Sequence, residues 1–271
     1  MSVSTGIKQA IYVAPFAELA EPRRMVDLAQ AAEQHGWDGI FLWDHIYRPT
    51  DETTDIGDAW ISMAAMAMAT AQIRLGPLVT PITRRRPWKL ARETVALDRL
   101  SDGRLIVGLG LGVDSGGELS RFDEIIDPVV RGQRLDEGAR LLLALWSGEP
   151  VTHAGTHYTA TDVRFRPAAL QRPHIPLWFA ARKQALRPVR RAAQLGSGIH
   201  AIEMDEPTVE RMMATIVDER GNLDGFDIAL NVAPGTDVSP RAAQGATWAI
   251  HAFEPTATFA DVMAVIRNGR S

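Results

Sequence analysis

The chain is expected to fold as a single α/β domain, a TIM-type (β/α)8 barrel with a short hairpin insertion after the fourth helix and a shortened connection between the seventh and eighth strands. Three observations carry that expectation. Apolar residues at period two alternate with apolar residues at helical spacing almost to the end of the chain, the pattern of βα units around a parallel sheet. The 271 residues, 46% hydrophobic and 23% charged, suffice for one large core and lie within the size range of such barrels. A short strand, Gly39 to Trp43, delivers Asp44 and His45 at its carboxyl end, where the chemistry of a βα barrel collects.

In chain order, Ile7 to Ala14 reads as the first strand. Met25, Leu28, Ala29 and Ala32 then form the stripe of a helix that Pro22 opens and Gly36 closes. After the second strand, Gly39 to Trp43, the segment Ala59 to Ala71 is a helix whose methionines face the core. Arg74 to Val79 is the third strand. Pro87 opens a helix with Leu90, Ala91, Thr94 and Leu97 on one face, and the Ser101-Asp102-Gly103 turn leads into a fourth strand, Leu105 to Gly108. Val130 to Trp146 is the fourth helix. From Val151 to Arg166 short extended pieces flank the Ala154-Gly155-Thr156 turn, an inserted hairpin that is a candidate flap. Strands at Leu177 to Ala180, Gly198 to Ala201, Phe226 to Val232 and Thr247 to Ile250 complete the barrel. Helices at Arg187 to Leu195, Thr208 to Arg220 and Ala257 to Arg267 pack on it. The connection before the last strand is rich in Gly and Pro and has room for only a turn or two of helix, around Arg241 to Gln244.

Charge and composition exclude several classes. A net charge of -4 gives no electrostatic case for nucleic acid or an anionic membrane. Without cysteine there is neither a disulfide framework nor a thiolate nucleophile or metal ligand. Met1 to Gly6 lacks the design of a secretory signal and Ala59 to Thr70 is too short to span a bilayer, so the cytoplasm is the expected compartment. His153 and His157 flank the hairpin turn, but two imidazoles without a third ligand point to a surface pair and not to a metal site. There is no HExxH motif or Walker loop, and neither Ser115 nor Ser120 lies in a GxSxG elbow.

Several segments in order resemble the luciferase-like flavin-dependent oxidoreductases, a family that includes bacterial luciferase, flavin monooxygenases and deazaflavin enzymes. They are Gly36-Trp37-Asp38-Gly39-Ile40-Phe41-Leu42-Trp43-Asp44-His45, Ile73-Arg74-Leu75-Gly76 with Val79-Thr80-Pro81, and Leu97-Asp98-Arg99-Leu100-Ser101-Asp102-Gly103-Arg104. Gly108-Leu109-Gly110-Leu111-Gly112 follows, then Arg134-Leu135-Asp136-Glu137-Gly138 before Leu145-Trp146-Ser147-Gly148. Their shared spacing covers nearly the whole chain.

The resemblance implies reduced FMN acting with oxygen, or the deazaflavin coenzyme F420 acting in hydride transfer, bound across the strand ends beside Asp44 and His45. His45 is the first-choice catalytic residue, a general acid or hydrogen-bond donor, with Asp44 orienting it or bonding the cofactor. The alternative is a histidine that caps the strand end through Asp44. Trp43 and Trp88 are expected as apolar walls of the substrate pocket. Relatives also carry a non-prolyl cis peptide that would fall at Leu78-Val79.

Gly110, Leu111 and Gly112 are expected at the cofactor, where glycine lets backbone approach a ring or phosphate; a bulged strand end is the alternative. The run lacks the third glycine of a dinucleotide fingerprint. Deazaflavin dehydrogenases of the family often have an acidic residue after the last glycine, whereas this chain has Val113 and then Asp114. That departure counts against a sugar-phosphate dehydrogenase. Ala181, Arg182 and Lys183 can supply backbone donors and cations to a phosphate, or the two cations are solvated; relatives have a glycine pair at Ala180 and Ala181. Arg84 to Arg86 would meet an anion or form a solvated face. The expected partners are a small-molecule substrate, a flavin reductase as electron donor and a second copy in a homodimer. Two other classes stay open: a cofactor-free lyase or isomerase holding a phosphorylated substrate over Arg182 and Lys183, and a non-catalytic flavin-binding protein.

Overall fold

The computed structural model describes residues 6–48, 55–114 and 116–270. Its main sheet contains β1 (Lys8–Val13), β2 (Gly39–Leu42), β3 (Arg74–Pro77), β4 (Thr80–Pro81) and β5 (Val107–Gly110). A separate antiparallel hairpin, β6 (Pro150–Ala154) and β7 (Thr159–Arg164), precedes β8 (Leu177–Arg182), β9 (Gly198–Ile202), β10 (Asp227–Val232) and β11 (Trp248–Ala252). The main sheet has the order β3-β2-β1-β11-β10-β9-β8-β5-β4, with every pairing parallel. A single parallel bridge, Leu75 with Leu105, joins β3 to the segment before β5 and closes the sheet into the barrel the sequence predicts.

Around it lie α1 (Pro22–Gln34), α2 (Ala59–Ala69), α3 (Pro87–Leu100), α4 (Pro128–Trp146), α5 (Leu186–Leu195), α6 (Glu206–Arg220), the short α7 (Ser239–Ala243) and α8 (Phe259–Asn268). The period-two pattern sorts each strand between two cores. On β1, Ile11 and Val13 face the helices while Ala10 and Tyr12 face the barrel interior. Inside, Phe41, Trp178 and Trp248 pack ring to ring with centroids 5.5 to 5.9 Å apart. Their bulk fits because Gly39 and Gly198 lie beside them: a Cβ on Gly198 would stand 2.5 Å from Trp178. Both indole N–H groups donate to Asp227, at 3.2 and 3.1 Å, so the plug contains paired donors and not stranded ones. The lower half of the barrel is therefore solid, and any cavity must lie above it.

Two expected strand bounds are corrected. The fourth strand runs from Val107 to Gly110, two residues later than predicted, because pairing with β8 begins at Val107. Gly108 and Gly110 are consequently strand residues, whereas Gly112 lies beyond the strand. The third strand stops at Pro77 and resumes at Thr80, with a cis Leu78-Val79 peptide between. The expected hairpin is present, and Glu137 in α4 accepts the N–H of His157 at 3.0 Å and of Tyr158 at 2.7 Å, which ties its tip to that helix. His153 also bonds Glu137, at 3.1 Å, so the two histidines of the tip are organised by a carboxylate. Among the described residues, no group of three or more His, Asp or Glu is placed to hold a metal ion, and no helix is long and apolar enough to cross a membrane.

Candidate active site

The carboxyl ends of the strands surround a cavity of about 650 Å³, a size suited to a small molecule or cofactor. Past the end of β2, Trp43, Asp44 and His45 all reach its lining, but they do different things. Asp44 is 4% exposed. Its carboxylate accepts from the Thr80 hydroxyl, from Trp60 Nε1 at 3.2 Å, from Arg84 Nη2 at 3.2 Å and from Arg85 Nη2 at 2.9 Å. Burial pushes the acid up, but the charges of Arg85 and Arg84 and the hydrogen bonds from Thr80 and Trp60 outweigh it and hold Asp44 below the usual carboxylate range. The Asp44 carboxylate bonds Thr80, Trp60 and the two arginines and not His45, so the expectation that it orients His45 is corrected.

The orienter is Glu118, which sequence reasoning does not single out. His45 Nδ1 lies 3.0 Å from Glu118 Oε2, and the ring packs between Phe16 and Trp43, each 5.8 Å away. Glu118 is 2% exposed; Oε1 accepts the Ile46 N–H at 2.6 Å and pairs with Arg84. Burial alone would raise its acid, yet the His45 hydrogen bond and charge, with Arg84, hold it below the ordinary glutamate value. An ionised carboxylate only accepts, so Nδ1 carries the proton in the neutral ring and Nε2 presents a lone pair to a ligand. Asp114 shapes this loop by accepting the N–H groups of Leu119 at 2.7 Å and Ser120 at 3.0 Å. A buried glutamate four residues past the acidic position singled out in the sequence carries the role.

Arg84 and Arg85 are thus neither a solvated face nor an anion receptor. Arg84 bridges Asp44 and Glu118 beneath the rim, Arg85 pairs with Asp44, and only Arg86 turns outward, over Trp88. Trp88 is 38% exposed and packs edge-on to Tyr158 of the hairpin, away from the cavity it was expected to line.

Leu78, Val79, Gly110, Leu111 and Gly112 all line the cavity. The glycines answer mainly to protein packing: a Cβ would stand 2.4 Å from Val79 Cγ2 at Gly110 and 2.4 Å from the Pro77 carbonyl at Gly108. Their lack of a side chain lets β5 nest against the segment joining β3 to β4. On β8 the alternation places Ala180 at the cavity and buries Ala181 among the helices, so Ala181 is no cavity residue. Arg182 reaches the cavity, but its guanidinium is paired with Glu203 at 2.9 Å. Lys183 borders a separate surface recess with Gln184, Glu203, Asp205 and Thr208. α5 begins beside the cavity at Ala185 with no side-chain cap, which leaves first-turn N–H groups for a ligand, although Pro188 removes one donor.

Beneath the cavity the Tyr12 hydroxyl donates to the Leu78 carbonyl. His200 is fully buried and bonds Asn231 Oδ1 through Nε2 at 2.7 Å; burial pushes its pKa down to about 4, with the Asn231 bond opposing, so it is neutral at pH 7.

This site suits a flavin or deazaflavin. It offers apolar walls at Leu78, Val79, Leu111 and Trp43, and Trp43 Nε1 is buried with no partner among the described residues. The uncapped start of α5 can meet a phosphorylated tail. The fold and the site together define a βα barrel with a cofactor-sized cavity at its strand ends and a carboxylate-held histidine on the cavity lining.

The profile of the luciferase-like monooxygenases matches residues 2–269, and the chain belongs to that family. An F420-dependent glucose-6-phosphate dehydrogenase of Beutenbergia cavernae is 32% identical over 185 residues, 67% of this chain and 53% of that protein. The corresponding protein of Nakamurella multipartita is 28% identical over 252 residues, 88% of this chain and 72% of that protein. The chain thus spans little more than half of the first of these relatives. Monooxygenase RslO1 of Streptomyces bottropensis superposes with a TM-score of 0.78 at 19% identity, covering 96% of this chain and 97% of that one, a likeness of fold.

Proposed function

We propose that this protein is a deazaflavin-dependent oxidoreductase that exchanges a hydride between coenzyme F420 and a small hydroxy or carbonyl substrate. The observation that carries the reading is the His45–Glu118 pair at 3.0 Å on the cavity lining. A bound deazaflavin supplies the hydride acceptor or donor. The chain supplies the proton chemistry: His45 Nε2 takes the hydroxyl proton of an alcohol and returns it in the reverse direction, while Glu118 stabilises the imidazolium that forms. Arg84 keeps Glu118 ionised, and Leu78, Val79, Leu111 and Trp43 keep water from the reacting face. The F420-dependent relatives support this choice of coenzyme. Reduced FMN with oxygen is the second reading, favoured by the family's monooxygenases. The sugar-phosphate substrate of the relatives is not carried over, because Val113 stands where an acidic residue is usual and Arg182 is already paired. The same pairing, with Lys183 outside the cavity, removes the support for a cofactor-free enzyme acting on a phosphorylated substrate.

The test is a pair of fluorescence-quenching titrations, with FMN and with F420, each in oxidised and anaerobically reduced form. Saturable binding of F420 with weaker FMN binding is expected. Tight binding of FMN alone would move the protein to oxygen chemistry, and binding of neither would sink both coenzyme readings. His45→Gln should keep coenzyme affinity and lose roughly 10²- to 10⁴-fold in kcat/KM, the usual contribution of a general base; binding without turnover in the unaltered protein would make it a carrier.

A further inference from the structure

Among the described residues, the arginines around the cavity have donors engaged by carboxylates or carbonyls with one exception. Arg84 and Arg85 pair with Asp44 and Glu118, and Arg182 pairs with Glu203. Arg131 donates to the carbonyls of Leu111 and Gly112. Arg48, which lines the cavity, has no carboxylate or carbonyl partner among the described residues. Its guanidinium lies over the Trp43 ring, 5.2 Å from the centroid, and Trp43 is in turn 5.8 Å from His45. A contact with the ring face uses no hydrogen-bond acceptor, so the guanidinium N–H donors can meet a planar, bidentate acceptor. The positive charge is felt at the cavity floor: burial pushes the Tyr12 hydroxyl far up, and the Arg48 charge pulls it the other way.

We propose that Arg48 is the specificity-determining residue of this site and that the substrate carries a carboxylate, held by the Arg48 guanidinium near the histidine that handles its proton. This deepens the oxidoreductase reading and rests on it. The charges decide between the two common anions. Arg48 is the one cation on the cavity lining without a counter-charge among the described residues, and Glu254 adds a carboxylate to the same lining. A single guanidinium matches a monoanionic carboxylate; a phosphate dianion needs a second cation that the lining does not offer. Leu111, Val79 and Phe253 supply apolar surface for the rest of such a molecule.

The experiment uses the full-length protein and three fragments of one shape: benzoate, benzamide and phenyl phosphate, titrated by saturation-transfer NMR. Benzoate should bind saturably, with benzamide and phenyl phosphate at least about tenfold weaker, the loss expected when a charge-assisted pair is missing or mismatched. Arg48→Met should weaken benzoate by about tenfold or more, and Arg48→Lys should fall between that variant and the unaltered protein, since a lysine keeps the charge but not the fork. Equal binding of acid and amide, tightest binding of phenyl phosphate, no saturable benzoate binding, or an unchanged benzoate affinity in Arg48→Met would each overturn the proposal. FMN and F420 titrations of Arg48→Met separate this proposal from the coenzyme reading. Unaltered coenzyme affinity is expected, a selective loss there would assign Arg48 to the coenzyme and overturn the proposal, and failure of the coenzyme reading shows instead as absent binding in the unaltered protein.

Discussion

Two buried arginines, at opposite ends of the barrel, show how one side chain can serve different ends. Arg104, 7% exposed below the strands, donates to the carbonyls of Ala67, Thr70, Ile73 and Ser101 and to the Thr70 hydroxyl. Every acceptor is neutral, so the cation ties the end of α2 to the entry into β3 and the turn before β5. Arg84, at the other end, spends its donors on two carboxylates, one of which holds the histidine. Neutral acceptors make a fastener, whereas ionised ones make a charge reservoir beside a reactive group.

The contrast breaks first at Arg84. Arg84→Met removes the arginine partner of Glu118 and one of the four partners of the Asp44 carboxylate, and removing one partner of a buried pair costs about 3 to 5 kcal/mol. Urea unfolding should report that loss, and the pH profile of activity should shift as well, because Glu118 loses one of the charges that hold its acid down beside His45. Arg104→Met should also destabilise, by at least about 3 kcal/mol from several unsatisfied carbonyls, yet leave the pH profile of the remaining folded enzyme unchanged. A shifted profile in that variant would erase the distinction between the two ends. Gly110→Ala comes next: its Cβ would meet Val79 Cγ2 at 2.4 Å, so a loss of about 1 to 3 kcal/mol from overpacking is expected. Coenzyme affinity should fall with it, since Val79 has only the cavity to move into.

The smallest effect concerns pH. His200 is pushed from an ordinary 6.5 to about 4 by burial, and His251 likewise. Between those values the unfolded chain binds protons that the folded chain does not, so stability rises with pH across that window and falls toward acid. His200→Asn should flatten the slope by up to about 1.4 kcal/mol per pH unit, the linkage of one proton; thermal midpoints between about pH 4.5 and 6.5, inside that linkage window, would show it. Below this range Asp44 and Glu118 add their own loss, as pH falls through their depressed values.

Much of the barrel is legible in the sequence because its information is local. Period-two strands, Pro22 and Pro87 at helix starts, and Asp44-His45 at a strand end depend on neighbours a few residues away. What escapes a sequence reading depends on register or long-range contact. Glu118 meets His45 across 73 positions, and nothing in the Gly116-Gly117-Glu118 stretch marks the loop as returning to β2. Ala181 falls on the wrong face in a sequence reading because β8 runs on through Arg182, and within a strand the faces alternate. Trp88 suggests a pocket wall because it is an aromatic near a strand end; the hairpin that covers it is legible, but the helix face it lies on is not.

The barrel is fastened at one place by a single bridge. Below the Leu78–Val79 break the seam closes through one residue pair, Leu75 with Leu105, and above it through the two pairs of β4 with β5, where the other neighbouring strands share three to five. Above that join stands the Leu78–Val79 wall of the cavity. Amide protons at the join, Ile106 N–H on the Leu75 carbonyl among them, should exchange with solvent sooner than those between β1 and β11. The wall therefore stands on the part of the ring that loosens first, so the width of the cavity can fluctuate while the tryptophan plug below stays shut.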